Sequence, residues 1–84
     1  MSTVLYIRGW RLHFYSNEGT EPIHIHAEKG DKDCKYWLDV ELYNIREAYS
    51  YNLSAPDNRE IRKIILQNFD EIVEAWETFF EGKQ

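Results

Sequence analysis

The sequence has little cysteine and no long apolar stretch. Its single cysteine, Cys34, excludes an internal disulfide and is typical of a reducing compartment. The first residues lack the basic and apolar regions of a signal peptide, and no apolar run approaches the ~18 residues that a membrane helix needs. We therefore expect a cytoplasmic protein without a membrane partner.

Positive charge is also scarce. Ten Lys and Arg residues stand against 15 Asp and Glu residues, which gives a formal net charge of −5. No run of Lys or Arg is present. Because sequence-independent binding of nucleic acid depends on Lys and Arg contacts to phosphates, the isolated chain is not expected to bind nucleic acid directly.

Aromatic residues, in contrast, are abundant. The 84 residues include three Trp, six Tyr and four Phe. Each buries a large area, so a short chain can still build a hydrophobic core. The length predicts a single domain over residues 1–84.

The first half of the sequence, 1–42, is predicted to be rich in strands. In 10–15, Trp10, Leu12 and Phe14 alternate with Arg11, His13 and Tyr15, which is the pattern of a half-buried strand. Residues 43–53 have apolar residues at irregular spacing and are predicted to be a connection. The four predicted strands are 3–7, 10–15, 23–28 and 34–42.

Residues 54–81 are predicted to be helical. Ser54 can cap the helix, with Asp57 at the capping-box position, and apolar residues follow at helical spacing up to Phe80. One long helix is favoured; the alternative is two helices broken at Asn68, with Glu71 in a second capping box. The order of elements predicts an α+β fold, in which an antiparallel meander of about four strands is covered on one face by the C-terminal helix.

The chemically most specific feature is the pair His24 and His26. Residues two apart in a strand point the same way, about 6.5–7 Å apart at their Cα atoms. Ile23, Ile25 and Ala27 occupy the other parity, so both imidazoles are predicted on the face away from the helix, outside the core.

Two readings of this pair remain open. Histidines on an outer face are ordinarily solvated surface residues. They could also form a protein interface together with Arg11, Tyr15 and Trp37. Alternatively, His13 joins them if strands 10–15 and 23–28 pair in the right register. His13, His24 and His26 would then hold a divalent metal such as zinc, with Glu28 as a fourth ligand or a general base.

Several motifs in order resemble a prokaryotic family of DUF4160 type, a domain of unknown function whose members show a Pro-Pro-His-x-His motif. The resemblance covers nearly the whole chain, with Ile23 where the family often has a second Pro. Some members carry an extra His in the preceding loop, where this chain has Asn17-Glu18-Gly19, and that difference weakens a metal role here. The matching segments are 3–7, 14–17, 22–26, 28–31, 35–38 and 74–80.

The resemblance implies a partner more than a reaction. Family members are often encoded beside another small protein, in an arrangement like a toxin–antitoxin pair. The leading hypothesis is therefore an interaction or regulatory module without a cofactor, which binds a small co-encoded protein or forms a homodimer. No complete catalytic set is visible, so a non-enzymatic role is favoured. The alternative is a small metal-dependent hydrolase or nuclease that uses the histidine cluster.

Overall fold

The computed structural model describes residues 2–82; Met1, Lys83 and Gln84 lie outside the described residues. Five strands are followed by two helices, and a short 3₁₀ turn, Ser16–Glu18, lies between the second and third strands. The strands are β1 (Ser2–Ile7), β2 (Trp10–Phe14), β3 (His24–Lys29), β4 (Lys32–Asp39) and β5 (Asn44–Tyr51), and the helices are α1 (Ala55–Gln67) and α2 (Phe69–Glu81).

The strands form one antiparallel sheet in sequence order, β1-β2-β3-β4-β5. The predicted α+β meander is confirmed, with five strands instead of about four. The additional strand, β5, lies within the segment 43–53 that was predicted to be a connection. Ile45 is its one buried residue, so the strand carries almost none of the apolar alternation that identifies a half-buried strand.

The core lies between one face of the sheet and the two helices. Trp10, Leu12 and Phe14 of β2 are buried there, as the alternation predicts. The apolar stripe of the helices packs against them, and it includes Ile64 and Trp76. The indole of Trp10 is not left unpaired, because its Nε1–H donates to Glu60 at 2.9 Å. The remaining buried apolar residues are Ile25, Ala27, Cys34, Tyr36, Leu38, Ile45, Ile61, Ile65, Phe69 and Ile72.

The favoured single long helix is wrong, because the helical segment breaks at Asn68. Its backbone turns to φ −116°, ψ 23°, which separates α1 from α2. The side-chain amide of Asn68 donates to the carbonyl oxygen of Ile64 at 2.8 Å, so it satisfies the end of α1 and does not cap α2. Asparagine competes with the helical backbone in this way, and no slip in apolar phase accompanies the break.

The start of α1 is fixed by the predicted capping box. The Ser54 hydroxyl accepts from the Asp57 N–H at 3.2 Å, and the Ser54 N–H donates to the Asp57 carboxylate at 3.0 Å. Lys32 of β4 also reaches this carboxylate, at 2.9 Å. The Ser54 backbone N–H and the Lys32 ammonium lower the pKa of Asp57 from 3.8 to about 2.

We expect Asp57→Asn to lower the thermal midpoint at neutral pH and to have a much smaller effect near pH 2. The folded-state pKa lies below the unfolded value, so the ionised carboxylate stabilises the fold above about pH 4 and this contribution is lost as the pH falls towards 2. Thermal unfolding of both proteins at pH 7, 4 and 2 measures the difference. A difference that is as large at pH 2 as at pH 7 would contradict this origin of the stabilisation.

Candidate metal centre

The three histidines are buried, although the sequence predicts them outside the core. His13 and His24 have no exposed surface, and His26 is 3% exposed. The predicted strand parity holds, since His13 pairs with His26 across β2 and β3. The prediction does not include the aromatic rings and the turn after β2, which cover this face of the sheet.

The aromatic cover reaches the histidines from several elements. Tyr15 contacts the rings of His13 and His26, with centroids 5.0 and 4.7 Å away. Trp37 of β4 and Trp76 of α2 contact His24 edge-on, at 5.4 and 4.9 Å. These contacts remove the imidazoles from water, which raises the cost of charging His13 and His26.

Glu18, at the end of the 3₁₀ turn, points its carboxylate at the histidine pair. Its Oε1 atom lies 2.9 Å from His24 Nε2 and 2.8 Å from His26 Nε2. The donor atoms of these three residues all lie within 4.8 Å of one another. The turn therefore closes a cluster of two imidazoles and one carboxylate, of which the Glu18 side chain is 15% exposed.

The position of this turn depends on contacts at both of its sides. The Glu18 N–H donates to the Tyr15 carbonyl, and the Glu21 N–H donates to the Glu18 carbonyl at 3.0 Å. Gly19 lies against Phe80 of α2, where an added Cβ would come within 2.6 Å of the phenyl ring. The close approach requires glycine at this position, and it fixes the turn that carries Glu18 against the second helix.

The hydrogen bonds of His24 define which of its nitrogens has a lone pair. Its Nδ1 atom lies 2.9 Å from the Pro22 carbonyl oxygen. A carbonyl oxygen only accepts, so Nδ1 carries a hydrogen and donates it. In neutral His24 the lone pair is then on Nε2, and it faces an ionised carboxylate oxygen at 2.9 Å. Either a hydrogen or a metal ion therefore has to lie between these two atoms.

The electrostatics of the cluster favour a neutral His26 and an ionised Glu18. Burial lowers the pKa of His26 and outweighs the opposing effect of Glu18. Burial also opposes ionisation of Glu18, but its contacts with His24 and His26 dominate and lower its pKa. Neutral imidazoles and an ionised carboxylate are the forms that bind metal.

His13 does not join this cluster. Its ring lies parallel to that of His26, with centroids 5.4 Å apart, and both of its nitrogens are buried without a hydrogen-bond partner. Burial, together with the nearby Arg11, lowers the pKa of His13 to about 4, so the ring is neutral near pH 7. The structure thus brings His24 and His26 together, with Glu18 in the place that the sequence assigned to His13.

Glu28, the suggested fourth ligand or base, faces Arg11. Its carboxylate accepts two hydrogen bonds from the Arg11 guanidinium, at 2.9 and 2.5 Å. Glu28 stands opposite Arg11 in the β2–β3 register, two pairs beyond His13 and His26. The structure assigns its carboxylate to this ion pair.

The residues suggested for a protein interface are only partly accessible. Tyr15 is 39% exposed and Trp37 is half-buried, with the Lys35 ammonium 4.4 Å from the centre of its ring. His24 and His26 offer a partner almost no surface. Arg11 bonds to Glu28 and, through Nη1, to Thr3 at 3.1 Å.

Glu18 is the functional candidate that the sequence analysis missed. It lies in a polar loop, and acidic residues in loops are usually solvated. Its position in the sequence is the one indication, because the loop 15–23 connects two paired strands and brings the chain back towards β3. The segment 17–19, whose departure from the family pattern was expected to weaken a metal role, instead places a carboxylate next to the two histidines.

The donor set suits a divalent transition metal. Two imidazoles and one carboxylate are the three protein ligands of several catalytic zinc sites, and they leave a fourth position open. Tetrahedral ligands about 2.0–2.1 Å from zinc are roughly 3.4 Å apart. The observed separations are 2.8 and 2.9 Å, so Glu18 has to withdraw by roughly half an ångström to admit an ion.

The fold and this site define a small α+β protein with a candidate metal centre. A family model described as a domain of unknown function, DUF4160, matches residues 9–77, and the chain belongs to this family. No match is found among curated proteins or among solved structures. Neither helix in the described part of the chain has the length and apolar character needed to cross a lipid bilayer.

Proposed function

We propose that this chain binds one divalent transition-metal ion through Glu18, His24 and His26, and that the ion serves a hydrolytic reaction. One observation carries the proposal: the Nε2 atoms of two buried histidines converge on a single carboxylate oxygen, while His24 Nδ1–H is already donated to a backbone carbonyl. That arrangement leaves a lone pair facing a negative oxygen, and a metal ion resolves it.

The open fourth position supports hydrolysis as the class of reaction. An ion with three protein ligands retains one position for water, and zinc lowers the pKa of bound water to about 7. Glu18 is the most accessible of the three ligands, so the ion and its water would be approached from the side of the 3₁₀ turn.

Metal binding by untagged protein is the direct test. After dialysis against chelator, zinc and cobalt(II) are titrated separately, and the bound metal is counted by elemental analysis. We expect one ion per chain and, with cobalt, the visible absorption of a four-coordinate site. Glu18→Gln should weaken binding by more than the roughly 10–100-fold that is lost when a residue behind a ligand is replaced.

The matched control for Glu18→Gln is Glu28→Gln. Glu28 lies on the same strand as the two histidines, but its carboxylate bonds to Arg11, so its replacement should leave metal affinity unchanged. Absence of binding by the wild-type chain at micromolar zinc would overturn the proposal. The cluster would then be a metal-free set of hydrogen bonds in which His24 and His26 contact Glu18.

Binding of a small co-encoded protein is the second candidate. The observation that favours it is an apolar surface at the β4–β5 turn, where Val40 and Leu42 are 51% and 74% exposed. These side chains border an open cleft with Ile23 and Trp37 on its walls. Co-expression with the neighbouring gene product, followed by size exclusion, tests this candidate. Failure to form a complex at micromolar concentration would contradict it.

A further inference from the structure

We propose that Tyr49 and Asp33 form a hydrogen-bonded relay behind His26, which holds its imidazole in the tautomer that binds metal. This inference rests on the proposed metal site and adds two positioning residues to it. Neither residue belongs to the cluster of donor atoms, and each acts through His26.

The sheet places the two residues behind His26. In the antiparallel register His26 pairs with Lys35, which in turn pairs with Tyr49 of β5, so the Tyr49 side chain lies on the same face of the sheet. The Tyr49 hydroxyl lies 3.4 Å from His26 Nδ1 and 3.5 Å from Asp33 Oδ2. The hydroxyl therefore lies between the imidazole and the carboxylate.

With a metal ion on His26 Nε2, the ring hydrogen is on Nδ1, and this sets the direction of the hydrogen bonds. An ionised carboxylate only accepts, and Tyr49 has one hydroxyl hydrogen to donate. When that hydrogen goes to Asp33, the Tyr49 oxygen accepts from His26 Nδ1–H. His26 is then left with its lone pair on Nε2, the atom 2.8 Å from Glu18.

The relay gives both histidines the same tautomer. His24 Nδ1–H donates to the Pro22 carbonyl, and His26 Nδ1–H donates to Tyr49, so both lone pairs on Nε2 face Glu18. Metal-bound histidines commonly donate their other N–H to a carboxylate, a carbonyl or a water, which fixes the ring and raises its basicity as a ligand. Here a tyrosine hydroxyl stands between the imidazole and the carboxylate.

Tyr49→Phe tests the relay, because it removes the hydroxyl and keeps the ring. We expect zinc affinity to fall by about 10–100-fold, the loss typical of such partners, while the thermal midpoint of the metal-free protein changes little. Asp33→Ala should also weaken binding, whereas Asp33→Asn should retain most of the affinity because its amide oxygen still accepts from Tyr49. Combining Tyr49→Phe with Asp33→Ala should cost little more than Tyr49→Phe alone.

Tyr51→Phe is the matched control. Tyr51 lies two residues further along β5, on the same face, and is 67% exposed, so its replacement should leave zinc affinity unchanged.

¹⁵N NMR of the histidine rings provides a second measurement, whose result would not change if Tyr49 had only a structural role. In the zinc-bound wild type, His26 should carry its hydrogen on Nδ1, and Tyr49→Phe should change that signal and leave the signal of His24 in place.

The outcomes separate this inference from the proposal on which it rests. If wild type binds zinc and Tyr49→Phe binds it equally well, the relay is wrong and the metal site stands. If Tyr49→Phe and Tyr51→Phe weaken binding to the same extent, the relay is also wrong. If wild type binds no metal, the proposed function fails, and the relay fails with it.

Discussion

Zinc at one hundred times its dissociation constant should raise the free energy of unfolding of this chain by about 2.7 kcal/mol. The reason is mass action, because Glu18, His24 and His26 lie together only in the folded protein and the unfolded chain offers no comparable site. For a domain of this size the shift in thermal midpoint would be roughly 10–20 °C. Thermal unfolding followed by circular dichroism, with and without zinc, measures it.

Two variants separate the metal site from other effects of zinc. His24→Asn removes a ligand and should abolish the shift. His13→Phe should keep it, because His13 stacks on His26 without contributing a donor atom and a phenyl ring preserves the stack. An equal shift in His24→Asn would mean that zinc binds elsewhere. Loss of the shift in His13→Phe would favour the original assignment of His13 as a ligand.

Trp76→Ala should be the most destabilising substitution on α2, with a cost of about 3–5 kcal/mol. Trp76 is 3% exposed, and its ring contacts Phe14 in the sheet, Phe80 in the helix and His24 in the cluster. Since natural domains are stable by about 5–15 kcal/mol, such a loss would leave much of this small protein unfolded. Urea unfolding of the purified variant measures the change.

Phe79→Ala is the control for Trp76→Ala. Phe79 lies on the same helix but is 42% exposed, so its removal leaves a smaller cavity and should cost clearly less. The loss in free energy of unfolding for Trp76→Phe should lie between those of the other two variants, so metal binding can be measured on folded protein. If Trp76→Ala and Phe79→Ala cost the same, α2 does not contribute to the core in the way the structure describes.

The elements with strong local patterns are those that the sequence predicts well. The alternation in β2 and the capping box at Ser54 depend on neighbours within a few residues, and both are present in the structure. Edge strand β5 is missed because its exposed residues carry little apolar pattern. The break at Asn68 is missed because a single side-chain hydrogen bond changes the backbone without disturbing the apolar stripe.

Only part of the candidate site can be predicted from the sequence, for a similar physical reason. The strand period places His24 and His26 on one face, which needs no tertiary information. Their burial depends on Trp76 and Tyr49, which are distant in sequence, and the third donor depends on the path of the loop that carries Glu18. Long-range packing of this kind leaves no periodic signal in the sequence, so strand pairing alone points to His13, whereas the structure places Glu18 next to the two histidines.

The contact between Gly19 and Phe80 has a consequence for the order of events during synthesis. A small domain generally folds as a unit, so the strands of the meander are stabilised only together with the helices that cover them. The turn that carries Glu18 acquires its support only when the last turn of α2 has emerged and packed against it. The Glu18 carboxylate would therefore be held next to the two histidines only after residue 80 has been translated.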